Sequence, residues 1–262
     1  MKWITCLNED TPLYSIYEQL IKVAVVSCKK WTDLEPVFVY DGTPNELTRW
    51  MKNQNVHVLF HQSSLKQEIE SISEQEQNPF LKEVGCGAFL RVDLPELIKK
   101  LGWNDDYVFY TDCDVMFVGD VTDYFDFNTC KLFSVAPEND PKEIDIINTG
   151  SMLMNIQNLY ACNKEFKKFI VENLLDLLTS AWDQTAYINY FDKRWTYLSP
   201  LINWKPYWGY NENAKLIHFH GLKPHHRESI RMGKIENSFT RLVCDDFYKY
   251  CNIYDEYNRL HT

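Results

Sequence analysis

Between Trp3 and Phe60 the chain alternates short apolar runs with longer amphipathic ones, and no other feature of the sequence restricts the fold as much. Residues 3–7 read as a buried strand. Asn8 to Pro12 is a turn in which Asp10 or Thr11 can cap a helix and Pro12 suits its first position. Leu13, Ile16, Tyr17, Leu20, Ala24 and Cys28 then recur at helical spacing. Residues 36–40 and 56–60 repeat the strand pattern around a helix over 44–53. Strands separated by helices in this way pair in parallel, with the helices on the faces of the sheet. The expectation is an α/β domain with a mostly parallel central sheet flanked by helices.

The later sequence extends the pattern. Residues 63–79 are polar and read as an exposed helix or a loop that could cover a site. Residues 88–101 read as a helix, 107–111 as a strongly apolar strand, and 131–136 and 151–155 as further strands. A long helix is expected over 158–178, another over 181–191, and late strands over 195–198 and 215–219. No repeat or flexible linker interrupts the chain. One domain over 1–224 is expected, with a partly helical extension over 225–262.

Composition narrows the partners. The chain has 262 residues, of which 15% are aromatic, and that apolar surface argues against disorder. Its net charge of −10 disfavours nucleic-acid backbones and anionic membranes, so a phosphate substrate would need a local cation. The 8 cysteines form no CxxC pair. No charged and apolar leader is visible at Met1–Cys6, and no transmembrane stretch is visible, so a reduced, cytoplasmic protein is expected. Composition does not speak to oligomeric state.

The chemistry concentrates at a few element ends. Asp112-Cys113-Asp114 follows the apolar strand ending in Tyr110-Thr111. Ligands of open α/β sheets gather beyond the carboxyl ends of strands. Two carboxylates spaced by two residues can point the same way there and suit Mg²⁺ or Mn²⁺. The plainer reading is a pair of solvated turn residues, but carboxylates ending a buried strand need a partner. Further on, the strand before Phe219 brings His218 and His220 to one face, with Gly221 and Lys223 following. This reads either as a metal-and-phosphate corner or as a capped strand with surface histidines. Asn148-Thr149-Gly150 and Asp183-Gln184 suit a hydroxyl-rich ligand, or are a turn and a helix cap. Trp204, Tyr207, Trp208 and Tyr210 are either core or a wall on which a sugar could stack.

Taken in order, these residues resemble the family-eight retaining glycosyltransferases, which include glycogenin and bacterial lipopolysaccharide galactosyl- and glucosyltransferases. The resemblance runs from Trp3 to Pro224 and also includes Phe89-Leu90-Arg91, Leu94-Pro95-Glu96-Leu97 and Ser151-Met152-Leu153-Met154-Asn155. It implies a GT-A fold, a nucleotide-sugar donor such as a UDP-hexose, Mn²⁺, and a saccharide or glycoconjugate acceptor. By the same resemblance Asp112, Asp114 and His218 bind the metal, with His220 as the alternative. Gly221 and Lys223 meet the diphosphate, and Arg91, Asn148, Gly150, Asp183 and Gln184 line the donor sugar. Thr5 and Asn8 meet the nucleoside. Two departures mark this chain. Only Leu222 separates Gly221 from Lys223 where the family usually has two residues, and His225-His226 stand where it usually has Trp. Two other readings compete: a haloacid-dehalogenase-type phosphatase, with Asp245-Asp246 as its later acidic pair, and a non-catalytic nucleotide-sugar-binding protein.

Overall fold

The apolar N-terminal run forms β1 (Lys2–Asn8), buried from Trp3 onward. In the computed structural model, which describes residues 1–235 and 245–260, α1 (Tyr14–Trp31) follows. It starts later than the turn chemistry suggested. Leu13 takes a left-handed conformation at φ 64°, and neither Asp10 nor Thr11 caps the helix. Its buried face carries Leu20, Ala24 and Cys28 of the periodicity that located it, together with Ile21. Next come β2 (Glu35–Asp41), α2 (Glu46–Asn53) and β3 (His57–Phe60). Asn45 caps α2 in a reciprocal box with Thr48.

The polar segment 63–79 contains a helix, α3 (Lys66–Gln75), with Ile69 and Ser73 buried. It packs on α4 (Pro79–Ala88). The helix expected over 88–101 is instead a 3-10 turn, Phe89–Asp93, leading into α5 (Leu94–Lys100). Pro95 has no N–H to give the Arg91 carbonyl, so one continuous α-helix cannot run through it.

After β4 (Tyr107–Thr111) come β5 (Val115–Phe117), β6 (Phe133–Pro137) and β7 (Ile147–Asn155). β7 begins earlier than expected, so Asn148-Thr149-Gly150 lies within a strand, not a turn. The helix expected over 158–178 breaks at Asn173 into α6 (Ile156–Glu172) and α7 (Leu174–Leu178). Then follow α8 (Trp182–Phe191), β8 (Thr196–Tyr197), β9 (Leu216–His218), α9 (Arg227–Arg231) and α10 (Asp245–Asn258). Residues 236–244, with Cys244, and residues 261–262 lie outside the described residues.

The main sheet has the order β3-β2-β1-β4-β7-β6-β8. β1 pairs in parallel with both β2 and β4, whereas β7 is antiparallel to β4 and β6. Side chains alternate across the sheet and feed separate cores. Ile4 and Cys6 join the layer of α4–α8, and Trp3 and Leu7 join the layer of α1 and α2. β5 and β9 form a small antiparallel ribbon, on whose side a third cluster includes Phe219, Tyr250 and Tyr254 of the C-terminal region. The chain thus has the expected mixed α/β architecture. Among the described residues no helix is long and apolar enough to cross a membrane.

Candidate functional site

β1 has one sequence-adjacent neighbour, β2, on one side and the distant β4 on the other. At such a reversal the connections leave in opposite directions and a crevice opens at the carboxyl ends. A cavity of about 330 Å³ lies there. Asn8 from the end of β1 lines it, with Arg91, Asp112, Asp114, Asn148, Asp183, Gln184 and His220. Thr5 does not. It sits on the opposite face of β1 from Cys6 and Asn8, is buried, and its hydroxyl has no hydrogen-bond partner. Strand alternation thus turns Thr5, expected to meet a nucleoside, away from this cavity. None of Trp204, Tyr207, Trp208 and Tyr210 lines the cavity either.

At one end of the cavity Asp112, Asp114 and His218 bring ligand atoms within 4.8 Å of one another. His218 Nε2 lies 3.3 Å from Asp114 Oδ1 and 3.8 Å from Asp112 Oδ2. The histidine's tautomer follows from a backbone group. The Gly150 N–H donates to Asn148 Oδ1 at 3.1 Å, so that atom is an acceptor. Asn203 must then present its amide nitrogen to Asn148, at 2.9 Å, and its oxygen to His218 Nδ1, at 2.8 Å. Nδ1 therefore carries a proton, and in the neutral ring Nε2 turns a lone pair toward two carboxylates.

Three acceptors facing one another repel unless a cation sits among them. Asp114 Oδ1 is also buried without a hydrogen bond. A divalent cation fits this donor set: two carboxylates and an imidazole whose far nitrogen is hydrogen-bonded. Gly150 completes the fit. A Cβ there would lie 2.2 Å from His218 Cε1 and 2.8 Å from Asp112 Oδ2.

His220 is placed differently. β9 ends at His218 and the chain turns, with Gly221 at φ 74°, a conformation that favours glycine. His220 Nε2 lies 3.1 Å from Glu138 Oε1, and its Nδ1 meets the Tyr207 hydroxyl at 3.1 Å. Burial, with His218 and the lysines 205 and 223 nearby, drives its pKa well below the usual range for histidine. It lines the cavity but stands outside the Asp112–Asp114–His218 group.

Arg91 organises the opposite wall. It is buried, and its Nη2 donates to Asp112 Oδ1 at 2.7 Å. Its Nε meets Asp183 at 2.8 Å, and its Nη1 meets the Thr149 carbonyl. The Tyr110 hydroxyl donates to the same Asp112 oxygen at 2.9 Å. Burial pushes the Asp183 carboxyl up to about 7, against the opposing pull of Arg91. Trp182, just before it, holds a strained positive φ of 54°. Gln184 Oε1 accepts the Thr149 N–H at 3.1 Å. Asn148 donates to Glu138 at 2.6 Å.

Lys223 does not face the cavity. Its ammonium contacts Asp114 Oδ2 and donates to the Phe219 carbonyl at 2.8 Å. Burial works against both charges, yet each stabilises the other: the Lys223 pKa is raised, and Lys223 holds Asp114 well below the usual carboxylate range.

Sequence reasoning missed Asn203 and Glu138, which no local motif marks. It also missed how the four aromatics and Lys205 are used. Three successive carbonyls, at Pro137, Glu138 and Asn139, accept from Lys205 Nζ, the Tyr207 hydroxyl and Trp208 Nε1. The segment 205–208 thus fixes the backbone that carries Glu138.

No family model matches the chain, and no curated protein matches it. Solved structures do. The galactosyltransferase LgtC, in complex with donor and acceptor sugar analogs, superposes with a TM-score of 0.68 at 14% identity, over 98% of this chain and 95% of that one. GlyE of Streptococcus pneumoniae TIGR4 gives 0.65 at 14% identity, over 98% of this chain, which spans only 60% of GlyE. Mouse xyloside xylosyltransferase 1 gives 0.56 at 12% identity, over 84% of this chain and 97% of that one. At these identities the likeness shows the fold, which is that of GT-A glycosyltransferases.

Proposed function

We propose that the chain transfers a hexose from a nucleotide sugar, a UDP-sugar, to a saccharide or glycoconjugate acceptor, with a divalent ion bound and with retention at the anomeric carbon. One observation carries this reading: Asp112, Asp114 and His218 converge at the end of a cavity whose other walls include amide, carboxyl and guanidinium groups. The imidazole in the donor set favours Mn²⁺ over Mg²⁺, which prefers an all-oxygen shell. Such an ion, when bound, supplies positive charge against the leaving diphosphate.

The chain's own residues do the rest. Arg91 and Tyr110 hold one oxygen of Asp112 and leave the other toward His218. Asn203 holds the His218 ring. Arg91 also holds Asp183 at the cavity wall. Asp183 and Gln184 then face the sugar, where positive charge develops as the bond to the diphosphate lengthens. Asn8 meets the nucleoside at the end of β1.

The phosphatase reading has less behind it. Asp246 is engaged by the Tyr210 N–H and by Lys249, and neither it nor Asp245 lines the cavity.

Melting curves with UDP-sugars, with and without Mn²⁺, test the proposal together with hydrolysis of the donor. A ligand at 100 times its dissociation constant stabilises by about 2.7 kcal/mol. A Mn²⁺-dependent shift and donor turnover are expected, and Asp112→Asn or Asp114→Asn should abolish turnover in a folded protein. Binding without turnover over hours points to the non-catalytic reading. Release of phosphate from a simple ester, with no sugar-nucleotide hydrolysis, points to the phosphatase. An inverted anomeric centre in the product, seen by NMR, refutes retention.

A further inference from the structure

Lys223 occupies an unusual position for a residue expected to meet a diphosphate. Its ammonium rests on Asp114, one of the three donors of the candidate metal group, and on the Phe219 carbonyl. The sequence explains the placement. Gly221 turns the chain at φ 74°, and a single residue, Leu222, separates that turn from Lys223. So short a connection brings the lysine back beneath Asp114. The backbone at this point is fixed, because the Lys223 N–H donates to His226 Nδ1 at 3.1 Å and its carbonyl accepts the His226 N–H at 2.9 Å. His226 stands in the stretch where this chain departs from the family pattern. The side chain above this anchor is a flexible stem with a compact charge.

An ammonium and a divalent ion drawing on one carboxylate repel each other, and Asp114 is buried, where that repulsion is weakly screened. The ammonium can leave Asp114 at low cost only if another anion receives it. The diphosphate of the reaction proposed above is such an anion.

We propose that Lys223 is a resident counter-cation of the metal site: it competes with the metal for Asp114 until a nucleoside diphosphate draws it away. Metal alone then binds weakly, and metal and diphosphate bind cooperatively. By linkage, each tightens the other by the same factor. This rests on the proposed function, since it takes the anion from that reading.

The test counts bound Mn²⁺ by electron paramagnetic resonance in the full chain, with and without UDP, for the wild type and Lys223→Met. Melting curves confirm that the variant folds. Lys223→Gln, which can still donate to the Phe219 carbonyl, replaces it if Lys223→Met does not fold. Without UDP, the variant should bind Mn²⁺ roughly tenfold more tightly than the wild type, within the usual range of coupling between sites. UDP should tighten Mn²⁺ strongly in the wild type and much less in the variant. Lys223→Arg, which keeps a cation, should stay near the wild type in the absence of UDP. Equal or weaker Mn²⁺ binding by the neutral variant overturns the counter-cation role and leaves the proposed function standing. If neither wild type nor variant binds Mn²⁺, even with UDP, the metal-dependent reading itself falls, and this inference with it.

Discussion

Asn203→Leu separates the ring-holding role of Asn203 from its contribution to stability. Asn203 is fully buried, with its oxygen on His218 Nδ1 and its nitrogen on Asn148 Oδ1. Leucine has the same branching and heavy-atom count but can neither accept nor donate. The His218 N–H is then buried without a partner, at a cost of about 1–3 kcal/mol, and a hydrogen bond to Asn148 worth roughly 1 kcal/mol is lost. Asn148 still receives the Gly150 N–H at 3.1 Å, so its oxygen is not orphaned. A total loss of about 2–4 kcal/mol lowers the melting temperature by several degrees for a domain of this size. The ring is also released. Rotation or tautomer exchange takes the Nε2 lone pair away from Asp112 and Asp114, and loss of such an outer partner weakens metal binding roughly 10–100-fold. Asn203→Asp divides the two effects, because it still accepts from Nδ1 but sets a carboxylate oxygen against Asn148 Oδ1. It should lose stability while keeping Mn²⁺ affinity. Calorimetric melting and Mn²⁺ titration measure both quantities. If Asn203→Leu loses stability but binds Mn²⁺ like the wild type, the argument that Asn203 sets the lone pair is refuted.

Gly150→Ala should cost about 1–3 kcal/mol through overpacking and should weaken Mn²⁺ binding, because its Cβ would lie 2.2 Å from His218 Cε1. Unchanged metal affinity in that variant would show that the ring has room to move. Lys205 gives a pH signature. Burial, partly opposed by Glu138, brings its ammonium down from 10.5 to about 7. Between these values the unfolded chain binds more protons than the folded one, so stability rises with pH through that window, at up to about 1.4 kcal/mol per pH unit. Urea midpoints at pH 7 and 9 should show the rise in the wild type and lack it in Lys205→Met; equal slopes would place a charged Lys205 in the folded state.

Much of the fold is written locally. The strand, turn and helix alternation up to Phe60 located β1, α1, β2, α2 and β3 because burial of one face forces a period on the residues. The same signal misled where periodicity survives a break. Leucines and phenylalanines keep their spacing through Asn173, although the helix stops there. At the site, Asp112-Cys113-Asp114 was legible because carboxylates after an apolar strand are costly without partners. His218 and His220 were not distinguishable, since both lie on one face of an extended strand. The structure ends β9 at His218, and Glu138 and Tyr207 hold His220 outside the Asp112–Asp114 pair. Asn203 and Glu138 had no signal at all. Asn203 is a lone polar residue between Ile202 and Trp204, and Glu138 is one of several in a polar run, and for Asn203 the partners are far off in sequence: His218 is 15 residues beyond it, and Asn148 is 55 before it.

The distribution of buried charge ties these observations together. A chain with a net charge of −10 can spread acidic groups over its surface at little cost, but burying a cation is expensive. Arg91 and Lys205 are both buried, and the Lys223 side chain is only 12% exposed. All three stand beside residues that line one cavity: Arg91 on Asp112 and Asp183, Lys223 on Asp114, and Lys205 beneath the strand end that carries Glu138. Packing alone gives no reason for three buried basic side chains, four carboxylates and two histidines to share one end of a sheet. Such clustering marks sites where charge is managed during a reaction. It also removes the apparent conflict between an acidic protein and an anionic substrate. The surface charge is distant and screened, whereas the groups within a few ångströms of the substrate set the local field. Arg91 and Lys223 partly neutralise the two aspartates, so under the proposed function the site would need one more cation, not many, to receive a diphosphate.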